Sequence, residues 1–191
     1  FVFEVIVPSL PGYGFSEAAV KPGLGPIEMA VVFKNLMNRL GFEKYYIQGG
    51  DWGALIVQHM ATLYPDRILG VHSNMCFVNS ALSNLKLILG SFYPPLIVDK
   101  KEHESKIYPL STFFSKMMLE MGYMHIQATK PETVGVGLND SPVGLAAYIL
   151  EKFITWTNEE WKNLDDGGLT KKFTYADLLD NVMIYWITES I

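Results

Sequence analysis

Apolar and polar positions along this chain follow two different patterns. Phe1 to Val7 (Phe-Val-Phe-Glu-Val-Ile-Val) is β-branched and aromatic, the signature of a buried strand. Pro8, Pro11, Gly12 and Gly14 then mark a loop. From about Ile27 to Leu40, Ala30, Val31, Phe33, Leu36, Met37 and Leu40 recur at helical spacing, and Gly41 is placed to cap that helix. Tyr45 to Gln48 predicts a second strand, Ala54 to Leu63 a helix stopped by Pro65, and Ile68 to Met75 a third strand. Strand alternating with helix is the layout of an α/β fold with a parallel sheet. Beyond Asn79 the strand signals cease. Helical segments are expected at Leu82–Leu89, Leu110–Gly122, Gly144–Thr155 and Ala176–Trp186, separated by loops at Pro94-Pro95, Pro131, Pro142 and Asp165-Asp166-Gly167-Gly168. Residues 1–79 therefore read as part of an α/β core and residues 80–191 as a helical lid.

Both ends of the chain read as secondary structure. It starts inside the first strand and ends at Ile191, in the apolar stretch that begins at Val182. The expectation is a fragment of a longer protein, with too little of the sheet to form a stable domain alone. At 49% hydrophobic and 18% charged residues the chain is globular and not disordered. Its net charge is -5, without blocks of like charge, which excludes a surface built for a phosphate backbone. Cys76 is the only cysteine, so neither an internal disulfide nor a cysteine metal site is available. No cofactor or metal motif is present: Gly12-Tyr13-Gly14 lacks the third glycine of a dinucleotide loop, and Asp165-Asp166-Gly167-Gly168 does not have calcium-loop spacing. No apolar run reaches the ~18–20 residues of a membrane span.

The chemistry concentrates at Gly49-Gly50-Asp51-Trp52-Gly53. A strand, a glycine-flanked turn and a helix form the layout of a nucleophile elbow, and the nucleophile position holds Asp51. A serine there attacks an acyl carbon. A serine attacking a saturated carbon would leave an ether, which water does not cleave. A carboxylate leaves an ester, which turns over, so an elbow aspartate argues for displacement at an sp3 carbon, such as epoxide opening or halide expulsion. The helix N-terminus behind Asp51 favours its anion. Taken by itself, the motif fits an aspartate that caps the helix equally well.

Val7-Pro8-Ser9-Leu10-Pro11-Gly12-Tyr13-Gly14-Phe15-Ser16 and Gln48-Gly49-Gly50-Asp51-Trp52-Gly53 resemble the epoxide hydrolases of the α/β-hydrolase fold. The stretches from Gly122 to Gln127, from Asn139 to Phe153 and from Thr155 to Asn158 sharpen the resemblance to the microsomal branch. Ser73-Asn74-Met75-Cys76 and Lys21-Pro22-Gly23-Leu24-Gly25 look more like the insect juvenile hormone epoxide hydrolases than the vertebrate detoxifying enzymes.

The resemblance implies an α/β-hydrolase core with a lid and a covalent two-step mechanism. Asp51 attacks an epoxide carbon, and a histidine-activated water cleaves the ester to give a vicinal diol. Tyr123 corresponds to the first of two lid tyrosines that donate to the epoxide oxygen, and the Trp52 N–H to part of the oxyanion hole. Read without the family, Tyr123 would be one more core aromatic. The His-Gly-Trp-Pro motif is expected before Phe1, and the second tyrosine, the acid and the catalytic histidine after Ile191. His59, His72, His103 and His125 are assigned no role. The implied substrate is a small lipophilic epoxide, either juvenile hormone or a xenobiotic. The implied location is the endoplasmic reticulum membrane, reached through an N-terminal helix of the parent. Two alternatives stand beside this: a haloalkane dehalogenase, which uses the same elbow Asp-Trp pair, and a non-catalytic binder that keeps the elbow by descent.

Overall fold

A computed structural model describes residues 2–76 and 78–191. They fall into two compact units: Ala19–Glu120, and Phe1–Ala18 together with Met121–Ile191.

The first unit opens with α1 (Pro26–Arg39), whose proline occupies the first turn, where its missing N–H is no loss. Gly41 ends it at φ 87°. There the Phe42 N–H reaches the Met37 carbonyl at 2.9 Å and the Gly41 N–H reaches that of Asn38 at 3.1 Å, the paired bonds of a Schellman cap. Strand β1 (Tyr45–Gly49), helix α2 (Trp52–Leu63) and strand β2 (Ile68–Ser73) follow. The strands pair in parallel, from Tyr45 opposite Ile68 to Gly49 opposite Ser73. Helix α2 packs on both strands and on α1. Ala54, Ile56, Val57 and Met60 are buried there with Ala30 and Tyr45. Each fully buried apolar side chain of the Val or Ile class stabilises the unit by roughly 1.5–3 kcal/mol. Helices α3 (Ala81–Gly90) and α4 (Leu110–Glu120) complete the unit. The Tyr108 hydroxyl donates to the Leu87 carbonyl of α3 at 2.9 Å. The chain thus turns helical at residue 80, while its compact packing divides between residues 120 and 121.

The second unit carries α5 (Gly122–Thr129), α6 (Pro131–Asp140), α7 (Pro142–Thr157) and α8 (Tyr175–Thr188). Leu138, Leu145 and Val182 form its buried cluster, with Val134, Ile149 and Tyr185 packed against it. The Ser141 hydroxyl caps α7 by accepting from the Gly144 N–H at 3.0 Å. Asp165-Asp166-Gly167-Gly168 is a turn: Gly167 and Gly168 take φ 65° and 62°, and the Asp166 carboxylate accepts from the Gly168 N–H at 2.9 Å.

Three expectations change. The strand expected over Phe1–Val7 does not form: Val2–Val7 have no strand pairing, and Val2, Val5 and Val7 are exposed. A strand needs a neighbour to bond, and among the described residues β1 and β2 pair only with each other. The helix expected to reach Gly122 ends at Glu120, and α5 starts afresh at Gly122. Pro131 and Pro142, expected in loops, are instead first residues of helices. Proline reads as a breaker in sequence, yet its fixed φ suits a helix start.

Candidate active site

The elbow is built by close backbone approach. A Cβ on Gly49 would collide with the carbonyl of Gly53, where the chain doubles from β1 into α2. A Cβ on Gly50 would strike the side-chain amide of Asn74, which follows β2 and closes over the turn. The Asn74 N–H lies 3.4 Å from the Gly49 carbonyl, and Ser73 Oγ donates to the Met75 carbonyl at 3.0 Å, bending the chain there. A Cβ on Gly53, the other flanking glycine, would meet nothing within 4 Å. The positive φ of the turn falls on Asp51 itself, at φ 48° and ψ −126°. A non-glycine residue held in such a region costs roughly 1–3 kcal/mol and persists only where its surroundings enforce it.

That backbone separates Asp51 from an ordinary helix cap. A usual N-cap residue is extended, and its side chain accepts from the second or third helical N–H. Asp51 is not extended, and its Oδ1 accepts from the first, the Trp52 N–H, at 2.7 Å. The Ala54 N–H is satisfied by the Gly50 and Asp51 carbonyls at 3.1 and 3.0 Å. The carboxylate is exposed, with Oδ1 on the first helical N–H and Oδ2 making no hydrogen bond among the described residues. One carboxylate oxygen is thus tethered by a backbone N–H and the other is left unbonded, an arrangement that a nucleophilic role can use. The Trp52 side chain beside it is half exposed.

Tyr123 belongs to the second unit, in the first turn of α5. Its ring is met edge-on by Trp156, with centroids 5.5 Å apart. The Lys152 ammonium lies 5.4 Å from the Tyr123 centroid and 5.6 Å from that of Trp156. Sequence reading missed this surround, and it missed Asn74 over Gly50. The i, i+4 spacing of Lys152 and Trp156 on one helix was the available signal.

The four histidines lie on different elements. His59 is on α2, and His72 on β2 pairs in register with Gln48. His103 lies 3.7 Å from Glu102, and His125 is exposed on α5. Among the described residues no group of His, Cys, Asp and Glu is placed to hold a metal.

Residues 1–190 match the family of the alpha/beta hydrolase fold. The chain is 59% identical over 191 residues to juvenile hormone epoxide hydrolase 1 of Ctenocephalides felis, covering 100% of this chain and 41% of that protein. It is 53% identical to epoxide hydrolase 1 of Oryctolagus cuniculus, covering 42% of it. The crystal structure of juvenile hormone epoxide hydrolase from the silkworm Bombyx mori superposes with a TM-score of 0.91 at 57% identity, over 96% of this chain and 43% of that one. The chain thus spans about two fifths of the length of the relatives it matches.

Proposed function

The chain belongs to the α/β-hydrolase fold family, and from that premise we propose that it carries the nucleophile of an enzyme that opens lipophilic epoxides to vicinal diols. The observation that carries this reading is the strained Asp51, with Oδ1 held by the Trp52 N–H and Oδ2 presented. Its support is the likeness to relatives named as epoxide hydrolases.

In the first step Asp51 Oδ2 attacks an epoxide carbon and the C–O bond of the ring breaks. Tyr123 donates its phenolic proton to the leaving oxygen, which stays on the substrate as a hydroxyl. A phenol with an ordinary pKa of about 10 is protonated at neutral pH and able to donate. In the second step a base takes a proton from water as its oxygen attacks Asp51 Cγ, and the charge that develops on Oδ1 meets the Trp52 N–H. Collapse breaks the Cγ–Oδ2 bond, so that Oδ2 leaves in the diol and takes the proton held by the base, while the proton shed by the restored Asp51 carboxyl returns to the Tyr123 phenolate. The base that activates this water belongs to the full-length protein outside residues 1–191. In this reading residues 1–79 supply the hydrolase core and residues 80–191 the lid.

Relatives named for juvenile hormone favour it as the substrate, and a xenobiotic epoxide is the second reading. No helix among the described residues is long and apolar enough to cross a membrane. In this reading the full-length protein works at the endoplasmic reticulum membrane, a location supported by the resemblance of the sequence to the microsomal branch. A dehalogenase reading is disfavoured by a phenol donor, because halide leaves without a proton.

The test is single turnover of the full-length protein with juvenile hormone and with styrene oxide, followed by mass spectrometry of the peptide containing Asp51. An Asp51 ester in wild type and none in Asp51→Asn is the expected result. Diol formation at the wild-type rate by Asp51→Asn, with its asparagine not deamidated, would overturn the assignment. Chloride release from a chloroalkane without epoxide opening would move it to the dehalogenases.

A further inference from the structure

The candidate donor sits where its own helix gives it little support. Helix α5 spans only Gly122–Thr129, and its N-cap residue, Met121, makes no side-chain capping bond. Tertiary contacts must therefore fix the Tyr123 ring, and its contacts with Trp156 and Lys152 come from α7. Lys152 and Trp156 are four residues apart and share one face of that helix. Trp156 meets the Tyr123 ring edge-on at 5.5 Å, and the Lys152 ammonium is placed against both rings, at 5.4 and 5.6 Å.

Lys152 is not a solvated surface lysine. Its side chain is only 16% exposed, and its ammonium pairs with the Glu151 carboxylate at 2.8 Å. That carboxylate is itself held by the Thr155 hydroxyl, which donates to Oε1 at 3.0 Å. Thr155, Glu151, Lys152 and the two rings form a connected set around the phenol.

We propose that Lys152 is a positioning residue for Tyr123, its ammonium fixing the phenol ring and stabilising the negative charge that gathers on it as the proton is donated. This rests on the reading of Tyr123 as the donor to the epoxide oxygen. A cation on an aromatic ring is attracted by the electron density of that ring. As the phenolic proton moves toward the epoxide oxygen, electron density flows back into the ring and the attraction grows. An interaction stronger in the transition state than in the ground state accelerates the step. The Glu151 carboxylate, 2.8 Å from the Lys152 ammonium, holds it in place, so the charge is available without reorganisation.

The test is a double-mutant cycle in the full-length protein, read as the rate of Asp51 ester formation from styrene oxide in single turnover. Lys152→Met, which keeps the aliphatic stem, is expected to slow ester formation about 10-fold, with Lys152→Arg within about 3-fold of wild type. In the Tyr123→Phe background, where no proton is donated, Lys152→Met is expected to change the rate by less than about 2-fold. A role in packing alone would impose the same loss in both backgrounds, and that result overturns the proposal. Lys152→Met at the wild-type rate overturns it as well. Should Lys152→Met not fold, Lys152→Gln runs the same cycle. Failure of the underlying reading looks different: Tyr123→Phe would then form the ester at the wild-type rate, or wild type would form none.

Discussion

The α-carbon of Gly49 lies so close to the carbonyl of Gly53 that a methyl group on Gly49 would overlap it. The two glycines that bracket the elbow thus do different work. Gly49 permits the approach of strand and helix, while a Cβ on Gly53, inside α2, would meet nothing within 4 Å. Gly49→Ala is expected to destabilise by about 2 kcal/mol or more, because the obstacle is backbone that cannot rotate away. Gly53→Ala is expected to be neutral or to stabilise by about 0.5–1 kcal/mol, since alanine is the better helix former. Urea unfolding of both variants checks the contrast, and equal losses would mean that the close approach is misassigned.

Asp51→Asn and Asp51→Ala should part company in stability. Asparagine tolerates left-handed backbone and keeps an oxygen for the Trp52 N–H, whereas alanine does neither. Asp51→Asn is expected to unfold within about 0.5 kcal/mol of wild type and Asp51→Ala about 1–2 kcal/mol below it. Thermal melts of the two decide it, and an asparagine variant as unstable as the alanine one would contradict the elbow geometry.

Helix α8 carries an acid-sensitive cap. The Thr174 hydroxyl donates to the Asp177 carboxylate at 2.6 Å, and the Thr174 N–H donates to it at 3.0 Å. These two bonds hold the Asp177 pKa below the usual aspartate value. A depressed folded pKa gives stability that is present above the unfolded value and lost as pH falls through the folded one. The difference in Tm between wild type and Asp177→Ala should be constant near neutrality and shrink as pH drops below the ordinary aspartate range. A difference independent of pH would show that the carboxylate's charge has no part in the cap.

Tyr45 is buried at the start of β1, and its hydroxyl has no hydrogen-bond partner among the described residues. Burial raises its pKa above the ordinary phenol value, against a smaller opposing effect of Arg67. A raised folded pKa gives stability that is complete below the unfolded value and lost as pH rises through the folded one. Tyr45→Phe should match wild type at neutral pH and resist unfolding better above about pH 10. Alkaline titration followed by circular dichroism tests this, and coincident curves would refute it.

Legibility in the sequence followed local causes. Helix α1 was readable because its apolar spacing and Gly41 agree, and β1, α2 and β2 because short apolar runs lie between clear breakers. The strand expected at Phe1–Val7 failed because composition states a propensity while pairing requires a neighbour. Helix α6 was hidden by Gly135 and Gly137, which dilute the periodicity, and by Pro131, which reads alike at a loop and at a helix start. At the site, the position of Asp51 could be read from its flanking glycines, but its left-handed backbone could not. The i, i+4 spacing of Lys152 and Trp156 puts them on one face of α7, but that this face meets the Tyr123 ring depends on how α7 packs on α5, which the spacing does not encode.

The Trp52 N–H makes the two oxygens of Asp51 unequal, and on the proposed chemistry that inequality gives the protein an isotopic memory. Oδ2 departs with the diol, and an atom from solvent water replaces it in the carboxylate. Oδ1 stays. In heavy-oxygen water the first diol should carry light oxygen taken from the protein, and later diols the heavy atom. As long as the tether keeps the carboxylate from flipping, Asp51 holds one oxygen from its biosynthesis and one from its latest turnover.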